Sequence, residues 1–322
     1  MLPSSRLAGA VLAGALMLAA CGGGGDSPAP TGASPAPAPA GNASPPAGAP
    51  PAQGQPVSIA FAAKAGQADV RCGSPIAALG TGATAAELRD LRFYVSEIAL
   101  VTDQDVAVPV ALTPSNWQTD TVSLIDLEDA TGACAEAGTA LTHATIDGAV
   151  APGTYTGIRF TIGLPPALNH SDYAVAAAPL DVQAMAWSWQ AGRKFLQIEV
   201  DPVGGLARPS PAAPGKSFYT HLGSTGCVGN PVSGETVTCA RSNRMAFHAH
   251  DFDQASQRIV IDLATLLANS NLAADGGGAS GCMSGSTDPE CAPIFSALKI
   301  DLDSGQPIDD GHGQTLFRVE AK

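Results

Sequence analysis

Imidazoles, indoles and sulfurs carry the chemistry available to this 322-residue chain. Met185-Ala-Trp-Ser-Trp-Gln190 lies between Leu168-Asn-His170 and His221-Leu-Gly-Ser-Thr-Gly-Cys227. Neutral imidazole is the commonest protein ligand for transition metals, whereas an intact indole offers a metal almost nothing. Oxidative opening of the indole's five-membered ring to kynurenine changes that, because it creates an aryl amine and a ketone. In an extended segment Met185, Trp187 and Trp189 face one side, and by residue type alone such a set first reads as an aromatic packing cluster.

His170 follows a proline-ordered loop and precedes Ser171-Asp172. Neighbouring Asn and Asp side chains can orient the ring as a metal ligand requires, although a helix-capping histidine looks the same. His221 ends an alternating strand and opens a Gly-rich turn that a disulfide would hold still; fixed placement reduces the entropy lost in ordering a ligand. A partly exposed strand-end histidine is the plainer reading of that residue. His248 and His250 alternate on one strand face, a spacing that chelates a cation or simply points two rings to solvent opposite Phe247. His143 and His312 sit in polar, Gly-containing surroundings and are weaker candidates. Asp301-Leu-Asp-Ser-Gly305 and Asp309-Asp-Gly311 lack the ligand order and closing Glu of an EF-hand, so they read as solvated turns. The zincin motif, nucleophile elbow, P-loop and dinucleotide glycine pattern are all absent, which weighs against an enzyme.

Arg6 followed by the apolar run Leu7 to Ala20 has the order of a secretory signal and is too short to span a bilayer. Cleavage before Cys21 would leave a lipidated N-terminal cysteine, as in bacterial lipoproteins, and Gly22 rather than Asp after it favours the outer membrane. Residues 1–20 are therefore expected to be a signal peptide. Residues 21–55 are nearly all Gly, Pro, Ala and Ser, with too little apolar side chain to offset ordering entropy, and read as a lipidated disordered tether. Residues 56–322 are expected to form one domain, lipid-anchored at the outer membrane or in the periplasm of a Gram-negative bacterium. A formal net charge of −13 argues against nucleic acid, whose binding needs Lys and Arg to neutralise phosphates.

Of seven cysteines, setting aside Cys21 leaves six, an even number that reads as disulfides in an oxidising compartment. Local spacing pairs Cys227 with Cys239 and Cys282 with Cys291, leaving Cys72 for Cys134. Alternating apolar residues predict strands over Val57 to Phe61, Leu91 to Leu100, Val106 to Leu112, Thr121 to Leu127, Tyr155 to Ile162, Phe195 to Val200, Ser217 to His221, Arg244 to Phe252 and Arg258 to Leu263. Helical signals are confined to Thr84–Leu88, a turn or two over Ser171–Ala178, and Leu263–Ala268. The fold expected is all-β: an antiparallel β-sandwich or open barrel with few short helices, stapled by disulfides.

Taken in order, several segments resemble the MbnP-like copper-binding proteins, the four-Cys members of the metallo-mystery pair. They are Val70-Arg-Cys-Gly73, Asp90-Leu-Arg-Phe-Tyr-Val-Ser96, Val122-Ser-Leu-Ile-Asp-Leu-Glu128, Tyr155-Thr-Gly-Ile-Arg-Phe-Thr-Ile-Gly163, Leu168-Asn-His170 and Met185-Ala-Trp-Ser-Trp-Gln190. Lys194-Phe195, His221 to Cys227, Asn243-Arg244, and Gly281-Cys-Met-Ser284 with Asp288-Pro-Glu-Cys291 complete the set. Cys227, Cys239, Cys282 and Cys291 match the four cysteines that name the family. The resemblance implies copper as cofactor and a di-haem, cytochrome-peroxidase-like partner of the MauG or MbnH type that oxidises Trp187 or Trp189 to kynurenine. It implies copper held near that residue by His170 and His221; His248, His250 and Met185 are weaker ligand candidates from residue type and placement alone, not from the resemblance. Ala186 and Arg193 depart from it, each standing where an aromatic is expected, and His248 and His250 stand where no histidine pair is expected.

The resulting expectation is an exported copper-binding lipoprotein acting in copper acquisition or homeostasis, and not an enzyme. Two alternatives are a metal-free cell-surface module that recognises protein or glycan through its aromatic cluster, and a copper oxidoreductase with an open coordination position dependent on His221.

Overall fold

Residues Thr84 to Val101 form one 18-residue strand, and most of the structure is built along it. The short helix expected over Thr84–Leu88 does not form. Ala86 is paired on both sides, with Ile76 and with Pro202, so sheet pairing overrides the helical preference of Ala, Glu and Leu.

The computed structural model describes residues 54–188 and 192–322, all within one compact unit, Ala49–Lys322. The expected signal peptide, lipidated Cys21, nearly all of the tether and Trp189 lie outside the described residues. In chain order the strands begin with β1 (Gln55–Ala65), β2 (Ala68–Asp69), β3 (Pro75–Leu79), β4 (Thr84–Val101), β5 (Ala107–Pro109) and β6 (Ala111–Leu112). Then come β7 (Val122–Asp126), β8 (Thr145–Val150), β9 (Gly157–Ile162), β10 (Ala186–Ser188), β11 (Gly192–Arg193), β12 (Leu196–Pro202) and β13 (Phe218–Leu222). The last are β14 (Thr225–Val228), β15 (Thr238–Arg241), β16 (Met245–Ala249), β17 (Gln257–Asp262), β18 (Gly281–Cys282) and β19 (Phe317–Ala321). Helices are short: α1 (Pro166–Asn169), α2 (Leu263–Leu266) and α3 (Cys291–Leu298). One helical turn forms within the foreseen Ser171–Ala178, closed by the Val175 and Ala176 N–H groups on the Asp172 carbonyl, and α1 precedes it, started by Pro165 and Pro166. The fold is thus mostly β, disulfide-linked, with few helices.

A six-stranded sheet runs β19-β17-β1-β8-β6 with β2 beside β1, and a nine-stranded sheet runs β16-β9-β4-β12-β13-β18. Pairing is antiparallel except between β1 and β17 and between β13 and β18. β4 is long enough to carry two partners in series on one edge: β12 along Ala86 to Phe93, then β9 along Val95 to Val101. Its other edge takes β3, β7 and β5. The two sheets meet through aromatic rings. Phe61 and Phe317 from one contact Phe93 and Phe160 from the other, with centroids 5.5–6.0 Å apart in edge-to-face arrangements.

The face of the nine-stranded sheet turned away from these rings is also buried, and it is polar. Asp126, Arg92, Gln197 and His221 stand in register across β7, β4, β12 and β13. Each of the four is buried. Arg92 lies 3.4 Å from Asp90, 3.3 Å from Asp126 and 2.6 Å from Glu128. It also donates to the Ala137 carbonyl, so the segment after β7 closes over this row. The Cys72–Cys134 disulfide links that segment to the chain between β2 and β3. Cys227–Cys239 joins β14 to β15, and Cys282–Cys291 joins β18 to the first residue of α3.

Carboxylates outnumber cations in this layer. Burial pushes Asp90 up to about 8 and Asp126 up to about 7, against the pull of Arg92. Because both folded values exceed the unfolded one, about 3.9, the stability they contribute is complete below the unfolded value and is lost as pH rises through 7 to 8. The urea midpoint is expected to fall between about pH 5 and about pH 9, and Asp90→Asn should flatten that slope. A midpoint rising over this interval would contradict the assignment.

Candidate metal centre

His221 faces the buried polar layer from the penultimate position of β13. Its Nε2 lies 2.8 Å from Glu199 Oε1, and the ring is tilted against Tyr219 at 5.3 Å. Glu199 is fixed in turn by Arg89 at 3.1 Å and by the Gln197 amide at 2.9 Å, and that same amide donates to Asp90 at 2.8 Å. Burial alone would raise Glu199, but the His221 hydrogen bond and the charges of Lys194 and Arg89 hold it below its ordinary value. Burial pushes His221 down, with the Glu199 hydrogen bond working the other way, so the neutral ring is favoured. A neutral ring donating Nε2–H to a carboxylate keeps its lone pair on Nδ1. That Nδ1 is buried and has no hydrogen-bond partner.

His170 caps α1 and is half-buried. Its Nε2 lies 3.2 Å from Asn169 Nδ2 and 3.4 Å from Cys239 Sγ. The Cys227 and Cys239 sulfurs gather around this ring, but their bond to one another leaves no thiolate to bind a metal. Asn169 is buried and ties the histidine to the strand system. Its Oδ1 accepts from the Arg193 backbone N–H at 2.8 Å, and its Nδ2 is 3.4 Å from Ser224 Oγ. His170 is thereby placed by Ser224, three residues beyond His221.

Arg193 organises this loop, and sequence reasoning gave it no such part. It is 2 % exposed, and its guanidinium donates to the carbonyls of Leu180 (2.9 and 2.7 Å), Leu168 (2.7 Å) and Asn169 (3.0 Å). An aromatic ring at this position would remove these donors from the Leu180 and Asn169 carbonyls, whereas the Leu168 carbonyl would keep the Ser171 hydroxyl. Its appearance as a departure from a family pattern was the only sequence signal.

Trp187 lies on Gly223, two residues after His221. A Cβ on Gly223 would stand 2.6 Å from Cζ3 of the indole, so only glycine admits the ring there. The half-buried indole lines one surface depression together with Ser224, Cys227 and Met283. The disulfide hairpin therefore has His170 against Cys239 and Trp187 in the same depression as Cys227. Met185 does not join Trp187 on that side: a short helical turn precedes β10, and Met185 is wholly buried in the apolar core. His143 is stacked on Trp117 at 5.4 Å, with Nδ1 2.7 Å from the Leu124 carbonyl, a packing role.

His248 and His250 are not part of this arrangement. Through the register, His221 stands level with Arg92 of β4 and His248 level with Ala99. Seven residues of extended chain (99 − 92) separate those levels, on the order of 20 Å.

The family model named MbnP matches residues 54–284. The chain belongs to the MbnP family. A solved structure, MbnP from Methylosinus trichosporium, is 37 % identical, with a TM-score of 0.78 over 84 % of this chain and 99 % of that one. Among curated proteins none matches. The family-model match runs from β1 to β18, includes His170, Trp187, Glu199 and His221, and stops before α3 and β19.

Arg193→Leu should destabilise the fold by about 3 kcal/mol or more, because buried carbonyls lose charge-assisted donors that leucine cannot replace. Arg193→Lys keeps the charge without the fork and should fall between. Urea titration of the three proteins measures the order, and an Arg193→Leu protein as stable as wild type would remove Arg193 from this role.

Proposed function

We propose that this protein is an exported copper-binding lipoprotein that acts in copper acquisition or homeostasis, and that it is a carrier and not a catalyst. One observation carries the reading: the buried Nδ1 of His221 has no hydrogen-bond partner while the opposite nitrogen is held by Glu199. Metal-ligating histidines are oriented this way, with a carboxylate fixing the tautomer and raising the basicity of the free nitrogen. Copper accepts imidazole nitrogen readily, and its two oxidation states prefer different geometries that a rigid loop site can impose. Membership of the MbnP family supports the copper association.

In this reading His221 and His170 bind the metal, with Asn169 and Arg193 holding the His170 loop in place. Trp187 or Trp189 is oxidised to kynurenine by a di-haem partner of the MauG or MbnH type, which supplies an aryl amine and a ketone as further donors. The half-buried position of Trp187 at a surface depression suits electron loss to a docked haem protein. Acylation at Cys21 anchors the mature chain, with the Gly/Pro tether as a spacer between membrane and domain.

Protein recovered from its native host is expected to contain copper and a mass increment on the peptide spanning Trp187 and Trp189. His221→Ala should abolish tight copper binding, and Glu199→Gln should weaken it by about 10–100-fold. Host-derived protein that lacks copper and carries both indoles unmodified would overturn the proposal; the same protein with a saturable organic ligand would favour a recognition module.

A further inference from the structure

Three histidines that the copper reading does not use meet at a second place. His248, in β16, has Nε2 3.0 Å from Asp310 Oδ2. His312 lies nearly parallel to His248, with ring centroids 5.3 Å apart, and nearly parallel to His250 at 6.5 Å. His248, His250, Asp310 and His312 line one cleft together with Asp105 and Arg159.

The turn that brings Asp310 and His312 here is locked to β16. Asp309 and Asp310 adopt φ of 49° and 52°, in the left-handed region, followed by Gly311 at 79°. A Cβ on Gly311 would lie 2.2 Å from the Ala246 carbonyl oxygen, so the backbone of the turn rests directly on the strand. Side chains some sixty positions apart in sequence are thus held together by a contact only glycine allows.

We propose that His248, His250, His312 and Asp310 bind a divalent transition cation, zinc or copper(II), at a site separate from His170 and His221. Imidazole and carboxylate are the donor set such ions take. With metal–ligand distances of about 2.0–2.1 Å, two adjacent donors on one ion stand about 3 Å apart and the centroids of two coordinated imidazoles about 5 Å apart. The His248–Asp310 separation of 3.0 Å and the His248–His312 centroid distance of 5.3 Å meet these values pair by pair, while a third donor comes within reach of a shared ion only when a further ring turns. His250 and His312 are exposed, so their rings can tilt out of the parallel arrangement to point nitrogens at a shared ion. Burial lowers His248, and the neighbouring His312, Arg159 and His250 act in the same direction against Asp310, so a neutral ligand ring is favoured. Arg159 opposes a cation in the cleft, and the carboxylates of Asp310 and Asp105 offset it.

The test is calorimetric titration of metal-stripped mature protein with zinc(II), repeated on His312→Ala, His250→Ala and His170→Ala. Both His312 and His250 are exposed, so their truncation leaves the core intact, and circular dichroism checks this. The expected result is one zinc equivalent that persists in His170→Ala and is weakened at least tenfold in His312→Ala and in His250→Ala. Copper(II) added to His170→Ala should give an electron paramagnetic resonance spectrum with nitrogen hyperfine structure that His312→Ala alters. Zinc binding unchanged in folded His312→Ala, or absent from wild type, overturns the inference. Loss of all binding in His170→Ala also overturns it while favouring the first site, so the two readings fail separately.

Discussion

The sheet that carries His221 must bury charge on the face turned away from its apolar core, and the remainder of the molecule accommodates that. Arg92 sits among Asp90, Asp126 and Glu128 at almost zero exposure. Isolated buried charges are prohibitively unfavourable, so each must find an opposite charge or a hydrogen bond. The loop after β7 supplies part of that cover through Glu128 and the Ala137 carbonyl, and the Cys72–Cys134 disulfide fixes the loop in place. His221 and Glu199 form the end of this polar layer nearest the disulfide hairpin.

At that end the layer's logic changes. Within the layer, Arg92 Nε and Nη1 and Asp90 Oδ1 also lack hydrogen-bond partners, but Arg92 Nε and Asp90 Oδ1 face each other as an ion pair at 3.4 Å, whereas His221 Nδ1 is a buried acceptor with no donor. Around it the backbone is unusually constrained: Gly223 underlies Trp187, Ser284 bridges the His221 carbonyl and the Gly223 amide, and Asn243 donates to the Gly223 carbonyl. Arg193 and Asn169 impose the same order on the His170 loop. Such support is what a binding site needs if its ligands are not to relax when the ion leaves.

Much of the scaffold was legible because period-two alternation survives in β1, β4, β7, β9, β12, β13, β16 and β17. Alternation says which residues share a face; it does not say that the second face is covered. Alternation alone gives no sign that Asp90, Arg92, Gln197 and Glu199 are interior, and the loop folded over them makes them so. The helix α3 escaped notice although Cys291, Ile294, Phe295 and Leu298, all buried, have helical spacing; Pro293 in its first turn is a tolerated position. Met185 was misplaced because the strand containing Trp187 begins one residue later, which sends the methionine to the core.

The sequence by itself determined the class of fold, the cysteine partnerships suggested by spacing, and the residue types able to bind a transition metal. These are local properties: periodicity, separation along the chain and side-chain chemistry. Tertiary structure alone decided which nitrogen of His221 is engaged, that Arg193 ties down the His170 loop, and that His312 comes to His248 and His250. Those outcomes depend on register between strands and on close backbone approach at Gly223 and Gly311, distances that no one-dimensional pattern encodes.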